Sequence, residues 1–224
     1  MSMSEPLIRF HDVDFAYTAD RSVLSRCNFR LDPGGRVALV GPNGSGKTTL
    51  LHLVVGLLRP TSGRVEAFGK LRQGEADFHE VRCRAGLLFQ ETDDQLFCPT
   101  VAEDVAFGPL NLGKPRDEVR QIVAQTLQSV GLGGYDERIT HRLSTGEKRL
   151  VALATVLAMQ PEVLLLDEPA AGLDEPSTER LVQLLAELPQ AMVVVSHDRD
   201  FLRKTTSSSL RLRDGGLETV AGED

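Results

Sequence analysis

Residues 41–48 read Gly-Pro-Asn-Gly-Ser-Gly-Lys-Thr, directly after Arg36 and the apolar run Val37-Ala38-Leu39-Val40. Directly behind them comes a helical pattern with Leu50, Leu51, Val54, Leu57 and Leu58 on one side. Few local architectures satisfy an apolar run of four, a glycine-rich turn and then a 3.6-residue period: a buried strand, a loop and a helix. The helix is expected over residues 47–58, stopping before Arg59-Pro60. Gly44 and Gly46 let the loop turn its backbone N–H groups inward, and the helix start adds the positive end of its dipole. A cradle of that kind suits phosphate oxygens. Gly41, Asn43, Gly44, Ser45, Gly46 and Thr49 would line it, Lys47 would set a cation against the β- and γ-phosphates of a nucleotide, and the Thr48 hydroxyl would ligate Mg2+.

Elsewhere the pattern alternates between two periods. Leu7-Ile8-Arg9-Phe10, Val13-Asp14-Phe15 and Asn28-Phe29-Arg30-Leu31 predict antiparallel strands, with a turn at Pro33-Gly34-Gly35. Short strands are predicted at 63–69 and 85–90. Two helical stretches follow between 101 and 132, separated by Gly108-Pro109 and Gly113-Lys114-Pro115. A helix over 147–159 leads into an apolar strand at 163–166, and a last helix over 176–188 leads into another at 192–195. Fully apolar short strands that each follow a helix imply a parallel sheet covered on both faces. The expectation is one α/β domain over residues 1–224: a three-layer core with an N-terminal antiparallel β lobe and an inserted helical lobe over about 90–159.

Val163-Leu164-Leu165-Leu166 ends in Asp167-Glu168. By itself an apolar strand closed by two carboxylates is usually ordinary solvated strand-end chemistry. Beside the upstream loop it becomes a pair in which Asp167 holds Mg2+ and Glu168 polarises an attacking water. The net charge of −7 offers no positive field for a phosphodiester backbone, so no nucleic-acid partner is expected. Cys27, Cys83 and Cys98 fit no metal spacing and read as reduced thiols; His11, His52, His79 and His141 show no ligand spacing either. Asp93, Asp94, Glu103 and Asp104 read as a solvated acidic face. The start of the chain lacks the basic and apolar runs of a secretion signal, and no apolar run of about eighteen residues occurs. The absence of an Asn-Lys-x-Asp segment argues against guanine recognition.

Five further segments narrow the class. Leu143-Ser144-Thr145-Gly146-Glu147 stands before a helix, Ala171-Gly172-Leu173-Asp174 follows the carboxylate pair, and Ser196-His197-Asp198 closes the strand at 192–195. Gln90 ends the strand at 85–90, and Tyr17 precedes the loop. With the phosphate loop and Asp167-Glu168, in this order, the chain resembles the ATP-binding-cassette (ABC) ATPases, phosphate-loop NTPases, from residue 7 to 202. The resemblance implies ATP hydrolysis with ATP and Mg2+, Tyr17 stacking on adenine, Gln90 sensing Mg2+ and the attacking water, and His197 at the γ-phosphate. It further implies a head-to-tail dimer, each ATP lying between the phosphate loop of one subunit and Ser144 and Gly146 of the other. Thr145 stands where the family usually has glycine, and Glu147 where it often has glutamine.

Residues 86–97 and 99–109 are similar to the energy-coupling-factor subgroup, nearest its cobalt or nickel branch. That likeness implies uptake of a small nutrient through a transmembrane coupling subunit and a substrate-binding membrane subunit. The ATPase would then sit at the cytoplasmic face of the cell membrane, as a homodimer or with a paired cassette. Leu96, Phe97 and Val105 are the candidate contacts to the coupling subunit. Two alternatives stay open at this point: a soluble ABC ATPase outside transport, and a regulatory nucleotide-binding subunit with little turnover.

Overall fold

Alternation at the N-terminus becomes two long paired strands in the computed structural model, which describes residues 5–220. These are β1 (Ile8–Thr18) and β2 (Arg21–Leu31), antiparallel, with Ile8, Phe10, Val13 and Phe15 buried along β1. β3 (Arg36–Val40) leaves this sheet and leads through the glycine loop into α1 (Lys47–Val54). β4 (Ser62–Ala67) and β5 (Lys70–Arg72) return to complete a four-stranded antiparallel sheet of order β2-β1-β4-β5. Then follow α2 (Glu75–Arg84), β6 (Ala85–Leu88), α3 (Val101–Asn111), α4 (Arg116–Ser129) and α5 (Thr145–Ala158). The chain continues through β7 (Val163–Asp167), α6 (Glu175–Glu187), β8 (Ala191–Val195), α7 (Arg199–Thr205), β9 (Ser208–Arg213) and β10 (Gly216–Val220).

The second sheet has the order β10-β9-β3-β8-β7-β6, parallel from β9 to β6, with β10 antiparallel at its edge. Apart from Arg36 and Asp167 at their ends, its central strands are apolar because each face is covered, and the two-residue period sorts their side chains between two cores. Leu39, Leu165 and Val193 pack with α1 and the antiparallel sheet. Ala38, Leu164, Leu166 and Val194 pack with α3 to α7. The mixed α/β fold expected from the sequence is therefore present, with the sheet in the middle.

Several boundaries differ from expectation, each for a physical reason. α1 stops at Val54 rather than residue 58, because Gly56 takes φ +71 and a side chain there would run into the Phe78 ring. Gly108-Pro109 does not separate two helices but lies within α3, near its end, where proline forfeits only one N–H bond. α2 and α7 have no counterpart in the sequence reading: α2 is strongly polar and buries only Phe78 and Val81, and α7 spans just seven residues. The C-terminal hairpin β9–β10 also went unpredicted.

The acidic face does not hold as expected. Asp104 is buried and accepts hydrogen bonds from Phe97 N (3.0 Å), Cys98 N (2.9 Å) and Thr140 Oγ1 (3.0 Å), tying α3 to the segments on either side. Glu103 completes a reciprocal cap with Thr100 at the start of α3, and Asp93 pairs with Lys148 at 2.6 Å. Val105 is fully buried, which removes it as a surface contact.

Candidate functional site

β3 delivers the chain into the loop at one end of the parallel sheet, beside the ends of β7 and β8. Gly46, immediately before α1, has φ +107, and a Cβ there would stand 2.5 Å from Val23 Cγ1. Only glycine fits that turn. Asn43 and Gly44 are exposed at its tip. Lys47 is buried, and its Nζ donates to the carbonyls of Gly41 (2.9 Å) and Pro42 (3.0 Å), closing the loop on itself. Burial pushes the Lys47 pKa down, while Asp167 and Glu168 pull it back up. Ser45 Oγ is buried without a hydrogen-bond partner.

Across from the loop, Thr48 Oγ1 donates to Asp167 Oδ2 at 2.6 Å, joining residues 119 apart in sequence. Asp167 is buried, and desolvation raises its carboxyl pKa against the lowering effects of Thr48, His52, Lys47 and Arg149. Glu168 takes φ +51, a left-handed turn that swings its side chain out of the strand. Its amide donates to Val195 O (2.9 Å), and its Oε2 accepts from His197 N at 3.4 Å. Oε1 makes no hydrogen bond, and His197 Nε2 lies 3.4 Å from it. The Tyr17 hydroxyl lies 3.0 Å from Thr49 Oγ1, which anchors one end of a ring that is 50% exposed.

Gln90 is exposed just past β6, and its backbone rather than its side chain is what the fold holds. Arg149 on α5, itself buried, donates from Nη1 to Phe89 O (2.7 Å) and from Nη2 to Gln90 O (2.6 Å). Gln95 adds a second tie: its Oε1 accepts from Phe89 N (3.1 Å), and its Nε2 donates to Ala152 O (2.9 Å) and Thr155 Oγ1 (2.8 Å). Neither residue was singled out from the sequence. The available signal for Arg149 was an arginine at i−3 and i−7 to the buried Ala152 and Val156 of α5.

A second group forms at the start of α5. Ser144 Oγ accepts from Glu147 N (3.2 Å) while Glu147 Oε2 accepts from Ser144 N (2.8 Å). That reciprocal cap leaves the hydroxyl proton of Ser144 and the first-turn amides of Thr145 and Gly146 to serve an outside acceptor. Gly146 abuts the carbonyl of Gly172, where a Cβ would come within 2.9 Å. The Thr145 methyl faces Gly172 in turn. Ser144, Thr145, Gly146, Gly172 and Asp174 border a cavity of about 590 Å3, and no residue of the Lys47–Asp167 group lines it. The two groups of residues therefore lie apart on one chain.

Comparison with known proteins follows the same lines. The ABC transporter family model matches residues 24–171. A putative ABC transporter ATP-binding protein of Nitratidesulfovibrio vulgaris is 49% identical over 211 residues, 94% of this chain and 77% of that protein. The energy-coupling factor transporter ATP-binding protein EcfA of Methanocaldococcus jannaschii is 44% identical over 215 residues, again 94% and 77%. Among solved structures, cbiO1 of Clostridium perfringens, described as part of the ABC transporter complex cbiONQ, superposes with TM-score 0.84 at 32% identity, covering 96% of this chain and 88% of that one. A dimeric ATP-binding cassette in a post-hydrolysis state with ADP and Pi gives TM-score 0.87 at 27% identity, covering 96% and 99%. The family match spans well over half the residues and the relatives extend it to nearly all of them: the chain belongs to the ABC transporter family and is one of its ATP-binding, ATP-hydrolysing subunits.

Proposed function

We propose that this ATPase powers a membrane importer of the energy-coupling-factor type, with cobalt or nickel ion as cargo, and works as a pair of cassettes, two copies or one with a paired chain. The observation that carries this reading is an apolar platform on the helical layer. Phe97 is 65% exposed and meets the half-exposed Phe107 edge-on at 4.8 Å, with Leu110 exposed one turn further along α3. Exposed aromatics grouped in this way are costly in water and fit an apolar helix of a transmembrane coupling subunit. Phe107 and Leu110 replace the buried Val105 in the contact set, beside Phe97 and the partly buried Leu96. Similarity to the EcfA proteins and to cbiO1 supports the assignment. Among the described residues no helix is long and apolar enough to cross a membrane; in this proposal the transmembrane subunits hold the chain at the cytoplasmic face.

At the site, the loop amides from Gly41 to Thr49 and Lys47 hold the phosphates of ATP, and the half-exposed Tyr17 ring, with the Arg21 guanidinium 5.7 Å from its centroid, stacks on the base. Oxygen donors suit a small divalent cation, and a buried carboxyl whose pKa desolvation has raised gains from one. Thr48, Asp167 and Gln90 would hold Mg2+, which supplies positive charge to the phosphate oxygens when bound. Glu168 Oε1, lacking a partner, takes the hydrogen bond of the attacking water. His197 beside it contacts the γ-phosphate, and the Ser144 and Gly146 half-site of the other cassette completes the enclosure. Thr145 turns its methyl onto Gly172 of its own chain, which leaves that half-site open and favours turnover over a purely regulatory role.

Co-expression with the coupling and substrate-binding subunits tests the proposal. The wild-type chain should co-purify with them and drive ATP-dependent uptake of radioactive cobalt or nickel into vesicles. Phe97→Asp should lose co-purification while the isolated chain keeps its ATP turnover. Retention of the complex by that variant would remove the platform as the docking surface, and uptake of neither metal would remove the cargo.

A further inference from the structure

The first turn of α5 carries a charge that works against an anion. Glu147 folds its carboxylate back over Ser144, accepting from the Ser144 amide, from the Tyr135 hydroxyl (2.8 Å) and from Arg138 Nη1 (3.2 Å). Those hydrogen bonds, the Ser144 amide first and Tyr135 second, hold its pKa below the usual range, so Glu147 is ionised at neutral pH. A helix start otherwise favours anions, and a full negative charge one turn from Ser144 and Gly146 reduces that preference. Arg138 answers the charge. Its guanidinium lies 3.6 Å from the centroid of the Tyr135 ring, so stacking and the ion pair together define where it stands.

We propose that Arg138 neutralises Glu147, with Tyr135 holding the carboxylate turned back, and thereby sets how tightly the α5 half-site accepts a triphosphate. Arg138 is a positioning residue here, since it acts through Glu147 rather than on the nucleotide. The inference rests on the reading that Ser144 and Gly146 face ATP held by a second cassette. In the isolated chain the pair is largely solvated, with side chains 52% and 28% exposed, and contributes little to stability. Its effect emerges when two cassettes close and water leaves the interface, because screening of the carboxylate is lost there.

ATP-driven dimerisation of the Glu168→Gln chain, followed by sedimentation across ATP concentrations, provides the test. Arg138→Ala in that background should raise the ATP midpoint about three- to tenfold. Glu147→Gln, which keeps the side chain's length and one acceptor oxygen without the charge, should lower it. The combined Arg138→Ala and Glu147→Gln chain should return to within about twofold of the parent. An unchanged midpoint for Arg138→Ala, or a combined variant as weak as Arg138→Ala alone, overturns the proposal. A parent that binds MgATP without dimerising overturns the shared-site reading instead, and the inference with it.

Discussion

Asp167 sets stability against chemistry within one side chain. Its carboxyl is buried and its pKa is raised from 3.8 by desolvation, so between that value and its folded value the native chain keeps a proton that the unfolded chain has released. Stability from this group is full below about pH 4 and is lost as pH rises through the folded pKa. Asp167→Asn retains an oxygen to accept from Thr48 and removes the buried charge. We expect it to melt about 2–4 °C higher than wild type at pH 7, with the difference shrinking toward pH 4, while Mg2+-dependent turnover disappears. Calorimetry at the two pH values checks the first part, and a lower melting point at pH 7 would contradict it. Asp104 shows why acidic residues are hard to sort from sequence: it sits in the same run as the exposed Asp94, yet is buried under three donors. Nothing in the local pattern separates the two, because the donors come from Phe97, Cys98 and Thr140, and Thr140 lies 36 residues away.

At the scale of elements, α5 connects the Ser144–Gly146 turn to the segment that carries Gln90. Its N-terminus presents Ser144 and Gly146, and further along, Arg149, Ala152 and Thr155 grip the Phe89–Gln90 backbone directly or through Gln95. Lys148 adds its pair with Asp93. Arg149→Ala removes the charged donor from two part-buried hydrogen bonds, at a cost of about 2–4 kcal/mol, and should show as a lower urea midpoint. Gln95→Ala should cost less, about 1–2 kcal/mol, since no charge is involved. Equal stability of the Arg149 variant and wild type would mean that water or another donor replaces the guanidinium. The helix itself was legible from its apolar period between 147 and 159, whereas its grip on Gln90 was not, because the bonded residues lie 60 and 59 positions apart. α2 was illegible for a different reason: a helix that buries only two side chains leaves almost no apolar period to read.

For the molecule as a whole, the proposed sharing of ATP between the Lys47–Asp167 group of one chain and the Ser144–Gly146 group of another means function in pairs. Turnover per chain should therefore rise with chain concentration, and Glu168→Gln should bind ATP, lose turnover by about a hundredfold or more, and accumulate as an ATP-bound dimer. Concentration-independent turnover with a monomeric variant would contradict the pairing. Local chemistry let the sequence by itself determine a good part of this protein. The strand–loop–helix around Lys47, the apolar strands ending at Asp167 and Ser196, and the order of the family motifs all depend on neighbours a few residues apart. Tertiary structure alone decided that Thr48 meets Asp167 across 119 residues, that β3 lies between β8 and β9, that Val105 is core while Phe107 is surface, and that Arg138 stands on Glu147. Those outcomes depend on which elements pack together, and packing is chosen by burial summed over the whole chain, which no local window contains.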